Sequence, residues 1–189
     1  MDLLLIGLAI FFLPHFFTML RAPRTALAQR LGEGGYKGAY SLVSAIGLAL
    51  AIWGFARYRS GEFAPLYAPL GFARHVGPLM ILVAFILIAG ANMPAGYIKS
   101  AVRHPFLAGI ALWALAHLAM NGDLGGAILF GAFLAYVAID AAALIGRAAP
   151  ARVAPDWRYD VRAIVGGVAA FLVFALVIHP YVLRIAIAG

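Results

Sequence analysis

The stretch VRHPFLAGIALWALAHLAMNGDLGGAILFGAFLAYVAID, Val102–Asp140, decides the class of this fold. Between Pro105 and Gly122 it carries no charge, and between Leu124 and Ile139 it again carries none. Asn121, Gly122 and Asp123 alone separate the two runs, and an Asn-Gly pair is a strong chain-reversal signal. Two apolar helices joined by so short a polar turn read as a hairpin of membrane spans. Alternation with a period of two is absent, which argues against a β-barrel.

The same pattern extends in both directions. Further uncharged runs lie at Leu3–Leu20, Gly38–Ala56, Val76–Ile98 and Ala163–Leu183, giving six candidate spans. The composition agrees: of 189 residues, 65% are hydrophobic and only 11% are charged, with a mean hydropathy of +0.99. A soluble domain carries about 25% charged residues. We therefore expect an all-α integral membrane protein, a bundle of six transmembrane helices forming one domain over residues 1–189. Membrane lipid is its first partner.

The net charge of +7 could suggest nucleic acid. Its distribution suggests topology instead. With six spans, ten of the fourteen Lys and Arg fall on one side: Arg21, Arg24, Arg30, Lys37, Lys99, Arg103, Arg147, Arg152, Arg158 and Arg162. Arg57, Arg59, Arg74 and Arg184 fall on the other. By the positive-inside rule the richer side is cytoplasmic, so both termini are expected on the non-cytoplasmic side. No nucleic-acid partner is expected. The absence of cysteine excludes disulfides, thiolate-ligated haem and Cys-held iron–sulfur clusters.

Three connections are longer. Arg21–Lys37 ends in a glycine-rich stretch that should break the chain before the second span. Arg57–His75, with Pro65, Tyr67, Pro69 and Gly71, reads as an ordered cap on the outer surface. Arg147–Arg162, with Trp157 and mixed charges, suits the interface.

Ionisable groups inside a span are costly and are functional candidates by default. All five histidines lie in or beside spans: His15, His75, His104, His117 and His179. Imidazole can carry a proton, ligate a metal or bind haem iron; the structural alternative is a buried interhelical hydrogen bond. His104 and His117 are thirteen positions apart, about 1300° at helical rotation, and so lie on nearly opposite faces. His117 shares its face with Trp113, Met120 and Asn121, an environment suited to a flat ligand. His104, beside Arg103 and Pro105, reads as the cytoplasmic lip of its span. His15 follows Pro14, which should kink the first span, and shares its side with Phe11, Phe12, Thr18 and Met19. His75 and His179 stand near the outer boundary, where water can satisfy an imidazole. Asp140 is expected near the cytoplasmic end, where it can pair with Arg103.

At these residues the sequence resembles the NnrU family. LGEGGYKGAYSLVS (Leu31–Ser44), the Val102–Asp140 stretch and the closing IHP (Ile178–Pro180) carry the resemblance, and the His-Pro followed thirteen residues later by Ala-His is its most specific part. The family is linked to nitrite and nitric oxide metabolism in denitrifying bacteria, which implies a bacterial inner-membrane location and a small nitrogen-oxide or apolar ligand. The membrane domain is also similar to that of plant zeta-carotene isomerases, which use haem b bound by two histidines. That resemblance implies His15 and His117 as the iron ligands here, and a haem-dependent cis–trans isomerase of a polyene as the alternative function. Trp113, Asn121 and Arg103 would line the cofactor site, with Arg103 or Arg21 near the propionates. A membrane scaffold without a cofactor is a further alternative. RHPFLAG also resembles membrane methyltransferases, but Ala149–Arg162 does not supply their cofactor motif.

Overall fold

A computed structural model describes residues 1–61, 63–145 and 153–182. Seven α-helices follow one another: α1 (Asp2–Met19), α2 (Arg21–Gly61), α3 (Ala73–Ala91), α4 (Tyr97–Ala101), α5 (Pro105–Met120), α6 (Leu124–Leu144) and α7 (Trp157–Val173). α7 runs on into a π-helix, Phe174–Val182. Among the described residues there is no strand, only an isolated bridge between Pro65 and Asp123. Among the described residues, five helical segments are long and apolar enough to cross a membrane: α1, α2, α3, α6 and the continuous Trp157–Tyr181. α5 is the expected fourth span, but its 16 residues rise only about 24 Å, against a hydrocarbon core of about 30 Å.

The chain gathers into two compact units, Met1–Ala64 and Pro65–Gly189. In the first, α1 packs along α2 with little side chain between the backbones. A Cβ at Gly7 would collide with the Ala51 backbone, one at Gly47 with Phe11, and one at Gly54 with Leu4. Such small-residue contacts suit helices in lipid, where close van der Waals packing rather than the hydrophobic effect holds them together. Leu4, Leu8, Phe12, Ala51, Phe55 and Tyr58 are buried around this seam.

The glycine-rich entry to α2 differs from expectation. The chain is helical on both sides of Gly32, and the break is confined to that residue at φ 72°. Gly34, Gly35 and Gly38 are absorbed into the helix. Only the residue that must adopt positive φ interrupts it, because an L side chain there is strained.

In the second unit α3 is central, with α5 and α7 against it and α6 against α5. Small residues again fill the contacts: Ala84, Ala114, Ala116 and Ala163 are fully buried. Large apolar side chains point outward instead, as at Leu79, Val165 and Leu176, each more than 60% exposed. So inverted a distribution suits contact with lipid. α3 stops at Ala91 rather than reaching Ile98, because the turn that follows contains Pro94.

A carboxylate anchors α4. Asp160, in the first turn of α7, accepts from the Tyr97 and Ile98 amides at 2.8 and 2.9 Å. Asp160→Ala should release α4 at a cost of about 1–3 kcal/mol, since two donors lose a charged acceptor. Faster hydrogen exchange confined to the Tyr97 and Ile98 amides is the expected reading; unchanged exchange contradicts the anchoring role.

Candidate functional site

The site in the second unit is built around His117, near the C-terminal end of α5. Its side chain is 8% exposed, a rare burial for an imidazole in so apolar a segment. Nδ1 lies 2.8 Å from the Trp113 carbonyl oxygen, one helical turn back. A carbonyl can only accept, so Nδ1 carries the proton and Nε2 holds the lone pair. That is the tautomer of a metal-ligating histidine, whose other nitrogen is held by a carbonyl or carboxylate.

Aromatic rings surround it. Phe130 of α6 stacks on the imidazole at 4.5 Å between centroids and 25°, and the Trp113 ring is 5.0 Å away. Trp113 in turn meets Phe130 and Phe133 edge-on. The hairpin read from Val102–Asp140 produces this arrangement, because the short turn brings the start of α6 back beside the end of α5.

His179 is the unexpected member. Its ring lies 6.4 Å from that of His117, with 16° between the planes. Its Nδ1 also donates to a backbone carbonyl, that of Phe174, at 2.8 Å. The donor–acceptor spacing of five residues is the π-helical one, where an α-helix would use four. π-helical turns are rare and concentrate at functional sites. Here the π segment carries His179 to a position beside the buried imidazole.

The segment around Tyr67 forms an ordered cap that closes over the end of α5. The Leu66 and Tyr67 amides donate to the Gly122 carbonyl, the Leu70 amide donates to Ala119, and the Tyr67 hydroxyl donates to the Leu118 carbonyl at 2.5 Å. Burial, and then the neighbouring Asp123 carboxylate, raise the Tyr67 phenol above its usual value, so it remains a donor across the neutral range. Asp123 is 1% exposed and caps α6 by accepting from the Gly126 amide. Tyr67→Phe should loosen the cap by about 1 kcal/mol, read as faster proteolysis within residues 65–72; an unchanged cleavage rate contradicts the tether.

His15 occupies the first unit. It is half-buried, its Nδ1 donates to the Phe11 carbonyl at 2.6 Å, and its ring neighbours Phe11 at 4.3 Å and Tyr40 at 5.2 Å. Pro14 sits inside α1 just before it, and the Thr18 hydroxyl donates to the His15 carbonyl. His15 and His117 thus share one local design, in which the i−4 carbonyl fixes Nδ1 and aromatic rings flank the imidazole.

The other expected residues take separate places. Asn121 directs its amide to the His117 carbonyl, at 2.8 Å, and so closes the helix end. His104 is the N-cap position of α5. His75 is exposed and accepts from Arg74. Arg103 lines a cleft with His104 and Asp140 at the Pro105 end of α5, about 18 Å along the helix from His117.

A family model described as NnrU protein matches residues 3–187. The chain belongs to the NnrU family. No curated protein and no solved structure matches it. In this NnrU chain, no three His, Cys, Asp or Glu side chains converge among the described residues. A bare transition-metal ion needs three or four protein ligands, whereas haem brings four nitrogens of its own and asks the protein for one or two axial groups. Imidazoles standing singly and in a pair, tautomer-fixed and among aromatic rings, fit haem.

Proposed function

We propose that this chain is a six-span protein of the bacterial inner membrane, with both termini outside the cytoplasm. In this reading it holds haem b through His117 and takes part in nitrite or nitric oxide metabolism. The observation that carries the proposal is the buried imidazole of His117, its Nδ1 proton committed to the Trp113 carbonyl. Bound haem would supply a one-electron redox centre.

The side chains do the rest. The Trp113 carbonyl orients the imidazole and raises its basicity. Phe130 and Trp113 keep water from it. The cap built on Tyr67 and Gly122 holds the end of α5 in place.

The family resemblance supplies His15 as the second ligand, and its matching tautomer supports that assignment. A second reading has a specific observation behind it: His179 stands 6.4 Å from His117 within the same unit. Spectra of His15→Ala and His179→Ala decide between them. Loss of the low-spin signal in His15→Ala with retention in His179→Ala supports His15, and the reverse supports His179.

For topology, α5 crosses as the fourth of six spans, its shortness met by local thinning of the bilayer. Cysteine labelling from outside the cell should reach Ser60→Cys, exposed in the last turn of α2, only when that side is periplasmic. The proposed orientation places residue 60 with the four-cation side, hence outside. Labelling only after the membrane is opened contradicts it.

A further inference from the structure

A second polar cleft lies where α3 and α6 end and α5 begins, with a volume of about 290 Å³. Lys99, Arg103, His104 and Asp140 supply its polar lining, and Leu107 and Leu144 belong to its apolar part.

The charges are specific in kind. The Lys99 ammonium is set in place by the Ala91 and Met93 carbonyls, at 2.8 and 2.6 Å, which leaves one of its three donors for another acceptor. Arg103 is exposed at the same rim. Asp140 is half-buried and makes no ion pair or hydrogen bond among the described residues, so the pair with Arg103 expected from the sequence does not form. A plain anion would be drawn to the positive charge of Lys99 and Arg103 but repelled by Asp140. A zwitterion carrying both a phosphodiester and a primary ammonium satisfies both sets.

The position adds the apolar requirement. The cleft sits at the ends of three membrane-length or apolar helices, the level at which lipid headgroups meet basic side chains. We propose that it seats the headgroup of an ethanolamine phospholipid, with the phosphate toward Lys99 and Arg103 and the ammonium toward Asp140. The proposal stands apart from the haem reading, because none of these residues belongs to the His117 site.

The test uses the full chain purified in detergent and titrated with dioleoyl phosphatidylethanolamine, phosphatidylcholine or phosphatidylglycerol, with binding followed by thermal stabilisation. Phosphatidylethanolamine should bind about fivefold more tightly than phosphatidylcholine, whose quaternary ammonium has no N–H to donate, an effect the size of one partly solvated charge-assisted hydrogen bond. Asp140→Asn should erase that preference, and Arg103→Gln should weaken both lipids alike. Equal binding of the two by the unaltered protein, tightest binding of phosphatidylglycerol, a preference that survives Asp140→Asn, or no stabilisation by any lipid overturns the proposal.

Discussion

His117→Ala should abolish the low-spin absorption of the haem-loaded protein while leaving the polypeptide inserted and helical. The imidazole is removed, but the backbone around it keeps its partners. The Asn121 amide and side chain still donate to the residue 117 carbonyl, and the outer cap still closes on Leu118, Ala119 and Gly122. The variant loses packing against Phe130 and Trp113, on the order of 1–3 kcal/mol, which a membrane helix held on several sides should survive. The gap left between those rings has the shape of an imidazole, so added imidazole should restore the low-spin spectrum. Asn121→Ala is the matched control. It removes one capping bond, worth about 1 kcal/mol, and leaves the spectrum as it was. A spectral change in Asn121→Ala equal to that in His117→Ala would contradict the separation of ligand from helix cap.

The second large effect concerns the first unit. Gly47→Ala should destabilise it by about 1–3 kcal/mol or more, because the new Cβ meets the Phe11 backbone rather than a side chain that can turn aside. The helices must separate, and the seam around Leu8 and Phe12 opens with them. The same substitution at Gly34, where a Cβ meets nothing within 4 Å, should be neutral or stabilising by up to about 1 kcal/mol, as alanine is the better helix former. Thermal unfolding of the two variants side by side gives the comparison. Equal melting temperatures would show that the close approach of α1 and α2 does not hold this unit together.

Much of the fold was legible because charge is excluded from spans by a simple cost. The hairpin of α5 and α6 and the cap around Tyr67 both followed from local residues. Three features did not. Among the glycines at the start of α2, only the backbone angle distinguishes Gly32 from Gly34, Gly35 and Gly38. The Asp160 anchor joins amides more than sixty residues away, and nothing near Asp160 in sequence signals it. The third is the place of His179 beside His117, since a π-helical turn does not rotate by the 100° per residue of a regular helix. The expected span Ala163–Leu183 ran through Pro180, and the π-helical segment does contain it.

At the site, His15 and His117 were picked out by the rarity of imidazole in lipid together with the family resemblance. The structure adds the protonation state of each ring, which no sequence pattern carries. It also shows the Asn121 side chain closing the end of α5 and Arg103 lining the cleft at the helix's other end.

The most direct measurement is the absorption spectrum of the purified full chain, supplied with haem during expression and recorded oxidised and then reduced. Axial imidazole ligation gives a stoichiometric Soret band, with sharp low-spin bands on reduction that disappear in His117→Ala. A haem-supplied preparation with no Soret band, or a His117→Ala protein that keeps the unaltered spectrum, contradicts haem binding at His117.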